Sequence, residues 1–490
     1  MRKTTSLREL DWLILLLFLL CVFLGAFVSP ACGGGGGGSS PSTGGSGGSG
    51  GGSGGGGTGG SGAGGGSSGD AIPGSFFAMT IPAGGADYPT VGVGALGHPS
   101  TLAWGFIEEN QGAYDFTGFD GYVNDAVQHG LVDSNGAAEV IITFGYTPPW
   151  AAADTSACAA VGGREVCPSP PANISDWTDF VTAVVNHFNG TTAPHVKYYE
   201  LWNEFSSPTF WTGTMQDMVN LAAAAYPIIH TDPYAMLLTP SVSGPAQGTS
   251  SANGLPNGIT FMTSYLQAGG YKYADGGSFH GYVAPSGGQN ITLFPFPEQD
   301  STAGCASGAA CFGSILTKLK GFRQVFDQNG LSGKPMLDTE GSWGLSSNLP
   351  DPNEQAAWVA RWYILQGGYY PNITQASWYA WGYPADSGQL ETATGTPNQA
   401  GVAYDQVYNW LVGASFSSQC ASDSNSTWTC PLTRSGGYQG LIVWNENGNF
   451  SYSPATTYTH YRDLAGNTTQ LDGGTITIGI QPVLLENQSP

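Results

Sequence analysis

The chain has 490 residues and a formal net charge of −22, with 13 Lys and Arg against 35 Asp and Glu. That balance excludes a nucleic-acid backbone as a natural partner, because such affinity is built from phosphate contacts by cationic side chains. Only 10% of residues are charged, while Gly (76 residues) and aromatics (12%) are plentiful. Such a mix suits an exported protein with long polar loops, and the length fits a barrel with a small companion domain.

Arg2, Lys3 and Arg8 precede an apolar run from Trp12 to Val28. A stretch of that length is a signal-peptide core or a marginal membrane span. Ser29-Pro30-Ala31-Cys32 follows, and a small residue before Cys with a Gly/Ser tail resembles a bacterial lipoprotein cleavage site, although Ser29 stands where Leu is usual. Lipidation of Cys32, an uncleaved anchor and plain secretion stay open for the segment 1–32. Each puts the mature chain outside the cytoplasm, at the cell surface, on the outer membrane or released, and contact with a membrane is expected only through the anchor or the lipidated Cys32. Residues 33–70 are almost pure Gly, Ser and Thr. They have no apolar surface to offset ordering entropy and read as a disordered linker. No Lys-Ser/Thr accompanies the Gly run, so it is not a phosphate loop.

Six of the remaining cysteines fall as close neighbours: Cys158/Cys167, Cys305/Cys311 and Cys420/Cys430. Local disulfides are the economical pairing in an oxidising compartment. No His clusters beside them at zinc-ligand spacing.

From Asp70 onward, short β-rich runs alternate with helical periods, the pattern of a parallel α/β architecture. Ser75–Ile81 is expected as the first strand and Leu102–Phe106 as the second, with no helix between them. A helix over Phe119–His129 leads to the third strand, Glu139–Phe144. Trp177, Phe180, Val181, Val184, Val185 and Phe188 then fall on one helical face. The fourth strand, Tyr198–Trp202, runs into Asn203-Glu204. Met215–His230 is a helix, Ala235–Thr239 strand five, Gly258–Ala268 a helix and Ser278–Gly281 strand six. A helix marked by Ile315, Leu319, Phe322 and Phe326 leads to strand seven, Met336–Thr339, followed by Glu340. Asn353–Gln366 is a helix, Gln375–Ala380 strand eight and Val402–Trp410 the last helix.

Eight strands alternating with helices predict a (β/α)8 TIM barrel over 71–414. After about Ser415, strand-like runs at Tyr438–Trp444, Thr457–Arg462, Thr475–Ile480 and Val483–Leu485 predict a small antiparallel β domain over 415–490. Asn445-Glu446-Asn447-Gly448 reads as a hairpin turn, with Glu446 structural. Glu108 and Glu109 read as a solvated loop pair.

Carboxylates at the C-terminal mouths of barrel strands are where this architecture keeps its chemistry. Glu204 and Glu340, 136 residues apart, are the pair that glycoside hydrolysis requires: one proton donor and one nucleophile. Trp381, Trp343, Trp150 and Trp104 follow strand ends and are candidates for stacking on sugar rings, each weighed against plain core packing.

Leu201-Trp202-Asn203-Glu204 and Asp338-Thr339-Glu340 resemble the clan A retaining glycoside hydrolases. Gly112-Ala113-Tyr114-Asp115-Phe116 leading to Asp120, Thr147-Pro148-Pro149-Trp150, His280-Gly281-Tyr282 and the trailing β domain draw the likeness toward family 39, the β-xylosidase-like group. It spans about residues 75–490, and families 5, 30 and 51 share the two-glutamate plan. The resemblance implies Glu204 as general acid/base, with a pKa raised relative to that of the nucleophile Glu340. It implies Asn203 as a partner of the sugar 2-hydroxyl, with His280 and Tyr282 in the pocket. A carbohydrate is the implied partner, and no metal or organic cofactor is implied. A non-catalytic carbohydrate-binding or adhesion protein is the competing reading, and a transglycosylase differs only in its acceptor. Sugar, linkage, exo or endo action and oligomeric state are not fixed by the sequence.

Overall fold

The computed structural model describes residues 70–82, 87–99, 103–161, 164–247, 256–284, 294–300, 312–382 and 387–488. The expected signal or anchor segment, its Cys32, nearly all of the linker and the Cys305/Cys311 pair lie outside the described residues.

Eight strands form one parallel sheet: β1 Phe77–Met79, β2 Ala95–Leu96, β3 Ala138–Thr143, β4 Val196–Glu200, β5 Met236–Leu238, β6 Gly277–His280, β7 Met336–Gly341 and β8 Gln375–Trp378. Their order is β5-β4-β3-β2-β1-β8-β7-β6, each neighbour parallel to the next. The two end strands meet through the parallel bridge Leu238–Gly276 and a 3.0 Å bond from Thr239 N–H to Gly276 O, which brings the sheet nearly to closure. Helices α1 Thr117–Gln128, α2 Ile174–His187, α3 Met215–Ile229, α4 Gly258–Gln267, α5 Ile315–Gln328 and α6 Pro352–Gly367 separate the strands from β2 to β8, and α7 Gln399–Leu411 follows. This is a (β/α)8 barrel.

Alternation along the strands sorts the side chains. Ile141, Tyr198, Leu238 and Leu337 pack together as a buried interior cluster. The residues that follow two of these, Ile142 and Tyr199, belong to the larger core shared with the helices, as does Phe279 of β6, which stacks on Phe322 of α5 at 4.6 Å. On α2 the predicted face of Trp177, Phe180, Val181, Val184 and Val185 is buried. A Thr214–Asp217 capping box starts α3, and Asp351 followed by Pro352 starts α6.

The second strand is the main departure from the sequence reading. Trp104–Ile107 is a single helical turn, and β2 is only Ala95–Leu96. Ala95 and Leu96 are strand because Ala78, Met79 and Val140 flank them in register. Two residues carry no periodicity that a sequence window could register. Glu108 is also not solvated: it is 2% exposed and accepts bonds from Trp104 Nε1 (2.7 Å) and the Gly112 N–H (2.8 Å).

The C-terminal region is antiparallel: β9 Ser415–Phe416, β10 Thr427–Thr433, β11 Gln439–Asn445, β12 Phe450–Tyr452, β13 His460–Arg462, β14 Thr468–Gln470, β15 Ile476–Ile478 and β16 Val483–Glu486. The main sheet runs β9-β10-β11-β16-β13-β14, and β12 pairs with β15. The Asn445–Asn449 turn therefore does not close a hairpin, since the strands on either side of it pair elsewhere. β10 escaped sequence reading because Pro431 lies inside it, a residue that argues against a strand interior. Glu446 is structural, accepting from Trp428 Nε1. Disulfides join Cys158 to Cys167 and Cys420 to Cys430, the local pairing expected of them. Among the described residues no helix is long and apolar enough to cross a membrane.

Arg361 of α6 fastens the two regions. Its Nη1 donates to Glu298 at 2.8 Å, its Nε donates to Ile480 O at 2.8 Å, and Trp444 Nε1 of β11 donates to the same Glu298 oxygen at 3.0 Å. Both charged side chains are fully buried. Replacing Arg361 by Ala strands the Glu298 charge, and the expected loss is about 3–5 kcal/mol in unfolding free energy by denaturant titration. The double variant Arg361→Met/Glu298→Leu is expected to recover most of it.

Candidate active site

The ends of β4 and β7, three strands apart around the barrel, carry Glu204 and Glu340. Glu204 lies four residues past β4 with φ +37°, a backbone conformation that costs a residue with a Cβ about 1–3 kcal/mol. Its N–H donates to Ser241 Oγ at 3.1 Å, and Ser241 is itself tied to Trp202 O by its own N–H at 2.9 Å. The extension of β5 thus fixes the extension of β4. Glu340 is the penultimate residue of β7. The register with β6 slips there, from Phe279 opposite Asp338 to His280 opposite Glu340, so one extra residue turns the carboxylate into the mouth.

His280, the last residue of β6 and 1% exposed, stands between the acids. Its Nδ1 is 2.7 Å from Glu204 Oε1 and 3.7 Å from Glu340 Oε2, which caps the separation of those oxygens at 6.4 Å (2.7 plus 3.7 Å). Tyr282 donates its hydroxyl to Glu340 Oε1 at 2.6 Å, and His98 Nε2 is 3.0 Å from Glu340 Oε2. Both acids keep some access to solvent, at 17% and 14% of their side chains.

The electrostatics separate the groups. Burial pushes the Glu340 carboxyl upward, but the His280 charge and the bonds from His98 and Tyr282 outweigh it and hold Glu340 well below the usual carboxylate range. Burial alone would depress His280, yet Glu340 and Glu204 beside it raise it above the ordinary histidine range. Burial and the Glu340 charge push the Tyr282 hydroxyl upward, so it stays a proton donor.

Below the mouth lies a polar layer. Glu200 is fully buried and accepts from Thr143 Oγ1 and Thr339 Oγ1, both at 2.8 Å. On the helix side, Asp338 Oδ1 accepts the Gly281 N–H at 2.8 Å, which anchors the turn carrying His280 and Tyr282; Oδ2 has no partner. Gly281 is required here, because a Cβ would sit 1.9 Å from that oxygen. Burial raises the Asp338 carboxyl well above its ordinary value. Lys318 of α5, also buried, donates to Gly244 O at 2.7 Å.

The other expected site residues fare differently. Asn203 is half-buried, and its amide Oδ1 is enclosed without a protein partner. Trp150 is part-exposed, held by its Nε1 donating to Glu108 O at 3.0 Å, on a loop pinned by the Thr147–Cys167 bridge. Trp104 and Trp343 are 0% exposed, packed against Trp177 and Phe180 and against Trp358 and Trp378 respectively. Ring stacking needs an open face, and these two have none; they are core. Trp381 is also fully enclosed, its indole N–H unpartnered.

Sequence reasoning missed His98, 3% exposed and two residues beyond β2. Its signal was the strand-end rule itself, hidden because the second strand was placed at Leu102–Phe106. His98, His280 and Glu340 each offer one donor atom, all within 4.8 Å of one another, the arrangement among the described residues that could hold a metal ion.

No protein-family model and no curated protein matches the sequence. Solved structures do match. A family 39 glycoside hydrolase from the gut symbiont Bacteroides cellulosilyticus WH2 superposes with a TM-score of 0.59 at 19% identity, over 84% of this chain and 81% of that one. The fold is that of clan A glycoside hydrolases. A monomeric beta-xylosidase from Caulobacter crescentus CB15 matches with a TM-score of 0.55 at 14% identity, over 86% of this chain and 97% of the other. A family 30 endoxylanase from Clostridium papyrosolvens C71 gives 0.54 at 11%, over 86% and 98%. The clan A likeness read from the strand-end motifs thus holds at the level of the fold, with family 39 among the matches.

Lys318 offers a test of the buried charges beneath the site. Burial lowers its ammonium to about 8 from an ordinary 10.5. Between those values the unfolded chain holds a proton that the folded chain has lost, so stability rises with pH in that window. The stability of the wild type relative to Lys318→Met should climb between pH 8 and 10.5 and stay flat below pH 7, as read by urea titrations at each pH.

Proposed function

We propose that the protein is a retaining glycoside hydrolase acting outside the cytoplasm on oligo- or polysaccharides. The observation that carries this reading is the pair of carboxylates brought within 6.4 Å (2.7 plus 3.7 Å) through His280. Retaining enzymes hold their two carboxyls about 5–5.5 Å apart and inverting enzymes about 6.5–9.5 Å apart. The shared fold with clan A enzymes supports the same reading. The two disulfides support an oxidising location.

In this mechanism Glu340, kept ionised by His280, His98 and Tyr282, attacks the anomeric carbon. The C–O bond to the leaving group breaks as Glu204 transfers its proton to the departing oxygen, leaving a glycosyl ester on Glu340. Glu204, now a carboxylate, takes a proton from water, and the resulting attack on the anomeric carbon frees Glu340 and releases sugar with net retention. With Oε1 of Glu204 facing His280, Oε2 is the oxygen left to carry the proton. The enclosed Oδ1 of Asn203 is an acceptor that the sugar 2-hydroxyl would satisfy, a bond that strengthens toward the transition state. Of the four tryptophans, Trp150 alone keeps an exposed portion for contact with a sugar ring.

Glu204→Gln and Glu340→Gln should each lose about 10²–10⁴-fold or more in kcat on aryl glycosides, with folding intact by circular dichroism. Added azide should rescue Glu340→Gly with an inverted glycosyl azide and Glu204→Ala with a retained one, as read by NMR of the anomeric proton. Normal turnover by both Gln variants would end the mechanism, whereas sugar binding without turnover by the wild type would favour a carbohydrate-binding protein. Tyr282→Phe should lower kcat by about tenfold or more, since one charge-assisted bond to Glu340 is worth about 1.5–3 kcal/mol.

A further inference from the structure

We propose that the catalytic mouth doubles as a three-donor site for a borderline-soft divalent ion, Zn²⁺ as the type case, and that its occupation blocks the enzyme reversibly. The inference rests on the assignment of Glu340 as nucleophile only for its consequence; the binding itself rests on geometry. His98, His280 and Glu340 each offer one donor atom within 4.8 Å of the others, and the contacts resolved among them run from His98 Nε2 and His280 Nδ1 to Glu340 Oε2. Two separations are resolved: 3.0 Å from His98 to Glu340 and 3.7 Å from His280 to Glu340. A tetrahedral zinc site with bonds of about 2.0–2.1 Å spaces its ligand atoms about 3.3–3.4 Å apart, so these two edges bracket the required value.

Two imidazoles and one carboxylate are a familiar zinc donor set, and three protein ligands leave the fourth position open to solvent or to another oxygen. Glu204 Oε1, 2.7 Å from His280 Nδ1, is the nearest such oxygen. The three donors stand on or beside the ends of β2, β6 and β7, so little chain entropy is lost in gathering them. The net charge of −22 favours accumulation of cations near the surface. Among the described residues no other cluster of His, Cys, Asp and Glu meets the same distance condition.

Occupation would displace the proton that His280 Nδ1 shares with Glu204, releasing it to solvent, and would take Glu340 Oε2 away from the anomeric carbon. The ion would therefore act as an inhibitor, not as a cofactor. Nothing in the sequence points to this, because His98 is separated from His280 by 182 positions and carries no metal motif.

The test is isothermal titration of ZnCl₂ into the EDTA-dialysed full chain, beside titrations of His98→Ala and Glu340→Gln. One ion per chain is expected, with affinity falling at least about tenfold in each variant. Zinc-edge X-ray absorption on the wild type gives a second readout that needs no variant, and two imidazole ligands are expected. Binding that is absent, or unchanged in both variants, overturns the proposal, as does an absorption spectrum without histidine. Where an aryl glycoside is turned over, Zn²⁺ should abolish turnover and EDTA restore it; turnover that requires Zn²⁺ would overturn the inhibitor role. Because binding is measured without substrate, failure of the glycosidase reading would leave the titration result standing, and the reverse also holds.

Discussion

A buried imidazole sets the spacing of the two acids. His280 touches Glu204 at 2.7 Å and approaches Glu340 at 3.7 Å, while Tyr282 and His98 each engage one oxygen of Glu340. Two carboxylates this close repel each other in a low dielectric unless a cation or a proton intervenes. Here the cation is supplied by the protein, on a strand between the two in the barrel order. Glu340 can then remain ionised with little solvent to screen it.

Such a junction has to be held from below. The turn that carries His280 and Tyr282 is tied by its Gly281 N–H to Asp338, and the register slip opposite Asp338 aims Glu340 upward. Beneath them Glu200 is locked by two threonine hydroxyls, and deeper still an apolar cluster plugs the barrel. Polarity is thus graded along the barrel axis, from an apolar floor through a buried polar layer to a mouth whose acids retain some exposure. Buried polar groups survive such an environment when hydrogen-bonded, and most of these are.

The antiparallel domain is joined to the barrel by a charged contact rather than by apolar packing alone. Arg361 reaches from α6 to Glu298 and to Ile480, with Trp444 closing on the same carboxylate. Burying that pair carries a desolvation cost that its bonds offset in part, since Arg361 and Trp444 both converge on one oxygen of Glu298 and the other has no partner. α6 lies between β7 and β8 in the chain, and its seating bears on the strand that presents Glu340.

The sequence by itself determined the eight-strand alternation, the two glutamates at strand ends, the His280-Gly281-Tyr282 turn and two local disulfides. Each is written locally: a period of two or 3.6, an Asn-Glu leaving an apolar run, cysteines nine or ten residues apart. Tertiary structure decided what depends on neighbours distant in the chain. Ala95–Leu96 is a strand only because β1 and β3 flank it, and with that strand misplaced His98 could not be seen as a ligand of Glu340. Glu108 became a buried acceptor, and Trp104 and Trp343 became core, because rings from α2 and α6 cover them. A side chain's type and spacing carry its chemistry, but its exposure and its partners are properties of the packed barrel.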